Sequence, residues 1–396
     1  MFEIVGKYNR AAVYAGRTDS EGYAQVLQMC NNEELKDSKI RMMPDMHAAE
    51  GCTVGTSMTI TDRVNPAYVG GDIGCGMQVY RLANREADFA ELDRVIRSAV
   101  PSGAAIRPEA HPMFKRIPVG ELCCVDSLRK ATVERSFGTL GGGNHFIEVD
   151  RDLDGRLYLV IHSGSRRLGR DVADFYQNIA FFEENGFSRA EVRRKKLRPA
   201  DIRGSSRKVG QCFLVGESMT EYLHDMNIAV EYAESSRKLM AETILSAMKW
   251  DVEESFTTIH NYIDTEHLIL RKGAVSAQDG EQLIIPINMR DGSLICRGRG
   301  NPEWNCTAPH GSGRVMTRAD AKKSISLEEY RESMTGIYTT SVSESTLDES
   351  PMAYRSIEEI LDVIDPTAEV TNIITPVYNF KASKSSVDEE TMDGKD

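Results

Sequence analysis

The stretch Gly70-Gly71-Asp72-Ile73-Gly74-Cys75-Gly76-Met77 sets a carboxylate and a thiol three residues apart in a run otherwise dominated by glycine. Glycine has no Cβ and tolerates positive φ, so this backbone can wrap tightly and aim Asp72 and Cys75 at one point. A metal ion suits that point. Taken alone, Asp-x-x-Cys reads equally as a tight turn with a buried free cysteine. The flanking sequence weighs on the choice, because histidines recur where β-rich runs end.

Bulk properties narrow the field. The chain has 396 residues and a net charge of −12, with a pI near 5.3. That balance argues against a general nucleic-acid coat and leaves room for a basic channel on an acidic protein. Met1-Phe2-Glu3-Ile4-Val5-Gly6-Lys7 lacks a basic region followed by a long apolar run, and no segment has the length of a membrane span. A cytoplasmic protein without membrane contact is expected. The eight cysteines, at 30, 52, 75, 123, 124, 212, 296 and 306, form no CxxC framework. Disulfides are therefore not expected, and Cys75 is free to ligate as a thiolate.

Outward from the glycine run, Ala11–Ala15 reads as a short strand, Ser20–Cys30 as a helix and Ile40–His47 as an apolar strand closed by Pro44-Asp45-Met46-His47. Proline biases Met43 to extended geometry and leaves Asp45 and His47 on one face. Residues 51–61 read as extended structure feeding the loop. Residues 87–100 and 226–250 carry helical spacing and read as core. Gly143-Asn144-His145-Phe146-Ile147-Glu148 and Arg156–His162 flank an Asp/Gly-rich loop, which predicts an antiparallel hairpin. With its turn near Asp152 and Leu153, the hairpin sets His145 beside Ile161 and His162. Phe256–Asn261 repeats the pattern of a β-rich run ending in histidine, His260. Residues 191–208 form the one strongly basic stretch, readable as a solvated helix face or as an RNA-backbone contact. Ser383–Asp396 is polar and acidic, and disorder is expected there.

Asp72, Cys75, His145, His162 and His260 together offer one carboxylate, one thiolate and three imidazoles. That is too many donors for a simple tetrahedral site and enough for two ions bridged by the thiolate. Ligand softness favours zinc, and the residues alone do not fix the metal. The ordered motifs Met43-Pro44-Asp45-x-His47, Asp72-Ile73-Gly74-Cys75-Gly76, Gly143–Glu148, His162-Ser163-Gly164-Ser165-Arg166, His260-Asn261, Arg271-Lys272-Gly273-Ala274 and His310-Gly311-Ser312-Gly313-Arg314 resemble the successive signatures of the RtcB RNA ligases.

The resemblance spans roughly Met43 to Lys381 and implies an α/β fold, a single compact ligase domain over 1–381 with an acidic tail over 382–396. It implies two Mn²⁺ ions bridged by Cys75, with Asp72 and His145 on one and His162 and His260 on the other. It makes His310 the nucleophile toward GTP, forming a histidine–GMP adduct that activates an RNA 3′-phosphate for a 5′-hydroxyl; a 2′,3′-cyclic phosphate is opened first. By the same resemblance Asn144 and Gly311 contact nucleotide phosphates, Glu148 and Lys381 read guanine, Asp45 orients His310, and Arg166 contacts an RNA phosphate. RNA, GTP and an activating accessory protein are the implied partners; the oligomeric state is left open.

Four departures point to a divergent subgroup, acting in tRNA splicing or RNA repair: Pro286-Ile287-Asn288-Met289-Arg290 in place of a Pro-Gly-Ser-Met-Gly type of loop, Ala48-Ala49-Glu50 after His47, Pro309 before His310, and a short segment between Cys75 and His145. Two rival readings use the same residues. One is a metal-dependent phosphoesterase with His310 as general acid. The other is a non-catalytic RNA-binding homologue.

Overall fold

The glycine run leads directly into the strand Gly76–Leu82, an interior member of the larger of the two main sheets, beside which stand two short two-stranded ladders. The computed structural model describes residues 1–16 and 18–382. Except for Ala382, the tail expected over 382–396 lies outside the described residues. In the larger sheet the order is Val252–Ile259, Gly76–Leu82, Leu157–Ser163, Phe146–Arg151, Ala368–Lys381, Gly292–Gly298 and Gln282–Asn288, each antiparallel to its neighbour. The smaller sheet runs Phe2–Val5, Arg10–Val13, Ile40–His47, Val54–Thr59, Ile269–Lys272 and Asn261–Asp264. Its one parallel pair joins Arg10–Val13 to Ile40–His47.

The glycine-rich loop stitches the two sheets together. Gly74 N donates to Asn261 O at 2.8 Å, and His260 N donates to Cys75 O at 2.9 Å. Gly74 has φ +72°, and a Cβ there would meet Val230 Cα at 2.9 Å and Ala233 Cβ at 3.0 Å. The loop needs glycine because it passes this close to the long helix Gly216–Met248.

Two helices back the site. Arg166–Glu184 buries Leu168, Val172, Tyr176 and Ala180, and Gly216–Met248 buries Met226, Ala229, Tyr232 and Ala233. This spacing gives each helix an apolar stripe facing the main core. The helix expected over 226–250 starts earlier, at Gly216, because Ser218 and Tyr222 continue the buried face. The helix expected over 87–100 is Phe89–Ala99, where Asp88 accepts from Glu91 N at 2.9 Å as its N-cap. Ser20–Cys30 forms with the expected bounds. The mixed α/β class is the one expected.

The hairpin differs from expectation in register. Arg151 pairs with Leu157, so Phe146 rather than His145 stands opposite His162. The cause is Asp152, whose Oδ1 accepts from Arg156 N at 2.8 Å, together with Gly155 at φ +78°. They close a longer turn than one placed at Asp152 and Leu153.

The basic stretch contains the helix Arg189–Lys195. Arg193 pairs with Asp126, Lys195 with Glu191, Arg198 with Asp201 and Arg207 with Glu184, so four of its eight basic side chains have acidic partners nearby. All eight cysteines are free. Among the described residues no helix is long and apolar enough to cross a membrane.

Candidate active site

Three strand ends and the glycine loop bring the five expected donors to one place. Cys75 Sγ lies 3.3 Å from His162 Nε2 and 3.5 Å from His145 Nε2. His145 Nε2 is 3.3 Å from Asp72 Oδ2, and His162 Nε2 is 3.3 Å from His260 Nε2. Two donor sets result, Asp72 with Cys75 and His145, and Cys75 with His162 and His260. Cys75 belongs to both.

Backbone carbonyls set two of the rings. His145 Nδ1 donates to Leu140 O at 2.9 Å and His162 Nδ1 to Asn144 O at 3.2 Å. With Nδ1 occupied as a donor, each Nε2 presents its lone pair inward, as a metal-ligating histidine requires. His260 Nδ1 is buried with no partner, and its Nε2 stands 3.3 Å from that of His162 beside the Cys75 sulfur, an inward-facing set of donors that a cation would satisfy. The donor set therefore fits divalent ions bridged by a thiolate.

The electrostatics agree with that fit. Burial pushes the His162 and His260 imidazoles well below their usual range, reinforced by the neighbouring rings, so both are neutral donors at pH 7. Burial and the Asp72 carboxylate push the Cys75 thiol far up, so a thiolate forms there only with a cation beside it. Burial also raises Asp72, but a proton on His145 Nε2 outweighs it and holds that carboxyl well below the usual range, and a cation in the proton's place would act in the same direction.

Arg237, on the long helix, was not singled out by sequence because it sits in a core-spaced segment. Its guanidinium is fully buried and donates to Gly74 O at 2.8 Å and Ser163 O at 2.7 Å. One side chain thus fixes both the loop carrying Cys75 and the strand end carrying His162.

His310 stands against this cluster, its ring centroid 4.9 Å from that of His260. Its Nδ1 donates to Asp45 Oδ2 at 2.7 Å, and its backbone N donates to the same oxygen at 3.2 Å. Asp45 is fully buried at the end of Ile40–His47. Gly273, at φ +56°, lets the ring approach, since a Cβ there would lie 3.1 Å from His310 Cε1. Ring and carboxylate arrive from sequence positions 265 residues apart.

A cavity of about 300 Å³ opens over these groups, lined also by Asn144, Glu148, Gly311 and Lys381. Glu148 is buried, and burial pushes its carboxyl up to about 7. Asn379, opposite Glu148 in the sheet, donates to Glu148 Oε2. Lys381 Nζ donates to Glu349 Oε2 at 2.6 Å. Glu349, Arg318, Tyr354 and Lys272 line the same cavity and were missed by sequence reasoning, because none stands in a motif of recognisable chemistry except Lys272 in Arg271–Ala274. Arg166 does not line it. Its guanidinium lies in the wall behind His145, near Gly141, and donates to Gly103 O at 3.0 Å.

A larger polar groove of about 1030 Å³, lined by Gln25, Asn32, Glu34, Arg63 and Arg207, contains none of these donors. A separate trio, Cys123, His224 and Asp225, also has ligand-type atoms close together. There the buried Asp225 carboxylate already accepts from Cys123 N, Cys124 N, Tyr176 Oη and His224 Nδ1. It ties the 119–127 segment to the long helix.

A profile for the tRNA-splicing ligase RtcB family matches residues 28–123 and 116–382. RNA-splicing ligase RtcB of Escherichia coli (strain K12) is 30% identical over 379 residues, covering 86% of this chain and 90% of the relative. The chain belongs to the RtcB family. RNA-splicing ligase RtcB2 of Escherichia coli (strain ATCC 25922) is 24% identical over 381 residues, covering 84% and 86% of the two chains. The tRNA-splicing ligase RtcB of Aeropyrum pernix is 25% identical over 413 residues, covering 81% and 83%.

Of the segments singled out in the sequence, 286–289 lines the cavity. Ser312 Oγ donates to Ile287 O at 2.8 Å, so the loop after His310 braces the altered one. Glu50 O accepts from Lys272 Nζ, another cavity residue of this RtcB-family chain. Pro309 closes a short ladder opposite Ala274, a position whose geometry a proline tolerates at a strand end.

Proposed function

We propose that this RtcB-family chain is an RNA ligase that uses His310 to take a guanylyl group from GTP, activates an RNA 3′-phosphate with it, and seals that end to a 5′-hydroxyl. The observation carrying this reading is the Asp45–His310 pair, packed against the donor cluster in the cavity that also contains Glu148 and Lys381.

Asp45 holds the Nδ1 proton, which leaves the lone pair on Nε2 as the nucleophile. Nε2 attacks the α-phosphorus of GTP, a P–N bond forms, the bond to pyrophosphate breaks and pyrophosphate leaves. An oxygen of the RNA 3′-phosphate then attacks the same phosphorus, and the P–N electron pair returns to Nε2. The 5′-hydroxyl attacks the activated RNA phosphorus, losing its proton and expelling GMP. A 2′,3′-cyclic end is hydrolysed first.

Asp72 and His145 on one side, His162 and His260 on the other and Cys75 between would hold two divalent cations, Mn²⁺ by family kinship, which when bound neutralise charge on the phosphates. Asn144, Gly311 and Lys272 face the phosphate chain, and Glu148 and Lys381 face the base. Arg314 and Arg318 add guanidiniums suited to RNA phosphate oxygens.

The test is incubation with Mn²⁺ and GTP labelled at the α-phosphate. An acid-labile adduct is expected on the native chain and none on His310→Ala. Equal labelling of the two, or none on either, refutes the reading.

A further inference from the structure

Glu349 is 2% exposed and comes from a 3₁₀ segment, Glu344–Glu349, with no apparent chemistry in its sequence. Its carboxylate nevertheless gathers the polar groups at one end of the cavity. Oε2 accepts from Lys381 Nζ at 2.6 Å and from Tyr354 Oη at 2.8 Å. Oε1 accepts from Arg318, and Arg314 Nη1 lies 3.9 Å away. Burial pushes this carboxyl up, but Lys381 and the two guanidiniums outweigh it and hold it well below the usual range.

A clamp for the surrounding loop is the bland explanation, and the neighbouring residue already supplies one. Asp348 Oδ2 accepts from Arg318 at 2.7 Å, and Asp348 O accepts from Arg314 at 2.6 Å. Asp348 does not border the cavity, whereas Glu349 does. What Glu349 adds beyond Asp348 is the anchor on Lys381, with Tyr354 Oη on the same oxygen.

Lys381 and Asn379 share a face of Ala368–Lys381, and Asn379 stands opposite Glu148 in the sheet. The ammonium is thus set near two buried carboxylates, Glu148 and Glu349, which balance its charge on that side. An ammonium has three N–H donors and no acceptor. One donor is committed to Glu349, which leaves the others for an acceptor that enters the cavity. A carboxylate, conversely, only accepts, and so suits the N1–H and 2-amino group of guanine.

We propose that Glu349 is a positioning residue for base recognition, fixing the Lys381 ammonium where a purine 6-carbonyl must lie and so selecting bases that carry one. This rests on the reading that the cavity takes GTP. Glu349 touches no reacting atom, and its effect runs through Lys381.

The experiment measures equilibrium affinities on the full chain carrying His310→Ala, which cannot form the adduct, in the presence of Mn²⁺. Three ligands separate the edges of the base: GTP, inosine triphosphate without the 2-amino group, and 6-thioguanosine triphosphate, which keeps the N1–H and 2-amino group but exchanges the 6-carbonyl oxygen for a weakly accepting sulfur. With Glu349 in place, loss of the 6-carbonyl oxygen should weaken binding by roughly 10- to 100-fold, the range of a charge-assisted hydrogen bond. Glu349→Gln should shrink that ratio to about threefold or less while leaving the GTP-to-inosine ratio unchanged. Combining Glu349→Gln with Lys381→Met should weaken GTP binding no further than Lys381→Met alone.

A uniform loss of affinity for all three ligands, or an unchanged 6-carbonyl ratio, overturns the proposal. If Glu349→Gln does not fold, Glu349→Asp serves, with partial compression of the same ratio expected and an unchanged ratio again overturning it. Failure of His310 labelling with base discrimination intact removes only the adduct chemistry. Absence of saturable GTP binding removes both.

Discussion

Substituting Asp45 by asparagine preserves shape and removes charge, and the geometry around Oδ2 says what that should cost. This oxygen accepts two hydrogen bonds, from His310 Nδ1 at 2.7 Å and from His310 N at 3.2 Å, while Oδ1 is buried with no partner. If the asparagine oxygen takes the Oδ2 position, a charge-assisted bond becomes a neutral one, a loss of about 1.5 kcal/mol or roughly tenfold in rate. Its NH₂ group is then buried without an acceptor, at a cost of about 1–3 kcal/mol. If the amide turns over, its NH₂ faces two donors, and His310 must carry its proton on Nε2, which abolishes the nucleophile. Replacing an orienting carboxylate by an amide in a histidine-dependent site lowers turnover by about 10⁴. The expected fall in the single-turnover rate of adduct formation therefore lies between about 10- and 10⁴-fold, at saturating GTP and Mn²⁺. Bound-metal content should stay near the native value, since Asp45 is not among the proposed metal donors, and the melting temperature should fall by no more than several degrees, the share of the buried amide. A rate within about threefold of native, some 0.7 kcal/mol, would refute the role given to this contact.

Gly164→Ala would place a Cβ 2.0 Å from Asp72 Oδ1, so the carboxylate must move; Mn²⁺ affinity in a metal titration should fall by at least about tenfold, and native affinity would count against Asp72 as a ligand. Asp225→Ala should lower unfolding stability by about 3–5 kcal/mol in urea denaturation and speed amide exchange in the 119–127 segment, with His310 labelling per folded molecule retained. Because burial raises the Glu148 carboxyl to about 7, and burial with the Glu148 charge raises its neighbour Asp150 further, the folded protein keeps protons on this pair that the unfolded chain has lost. The contribution of Glu148 to stability therefore falls as pH rises from the ordinary carboxylate range to about 7, while GTP affinity rises through that pH as the acceptor ionises. Glu148→Gln should flatten this part of the affinity profile, and identical profiles for the two proteins would exclude Glu148 as the titrating group.

The parts of the site that announce themselves in sequence are those whose chemistry is local. Asp72 and Cys75 sit in a glycine run that only a tight loop explains, and His162 and His260 end strands that read as strands. The hairpin register was less legible, because one aspartate and one glycine decided where the turn closed. Arg237 could not be found by pattern at all: it occupies a core-spaced position on a long helix, and only the fold reveals two carbonyls waiting beneath the loop. Glu349 was hidden for a different reason. Its partners lie 31 and 32 residues away on other elements, so no spacing rule connects them.

The strand Ala368–Lys381 runs between Phe146–Arg151 and Gly292–Gly298, and it delivers Asn379 and Lys381 to the cavity. During synthesis this segment leaves the ribosome after all five metal donors and His310 have emerged. A nascent chain halted shortly before it would possess the nucleophile and the ligands yet lack the middle of its larger sheet, and with it the means to tell one nucleotide from another. Under the proposed function, the means to choose a nucleotide is thus completed later in synthesis than the nucleophile that would react with it.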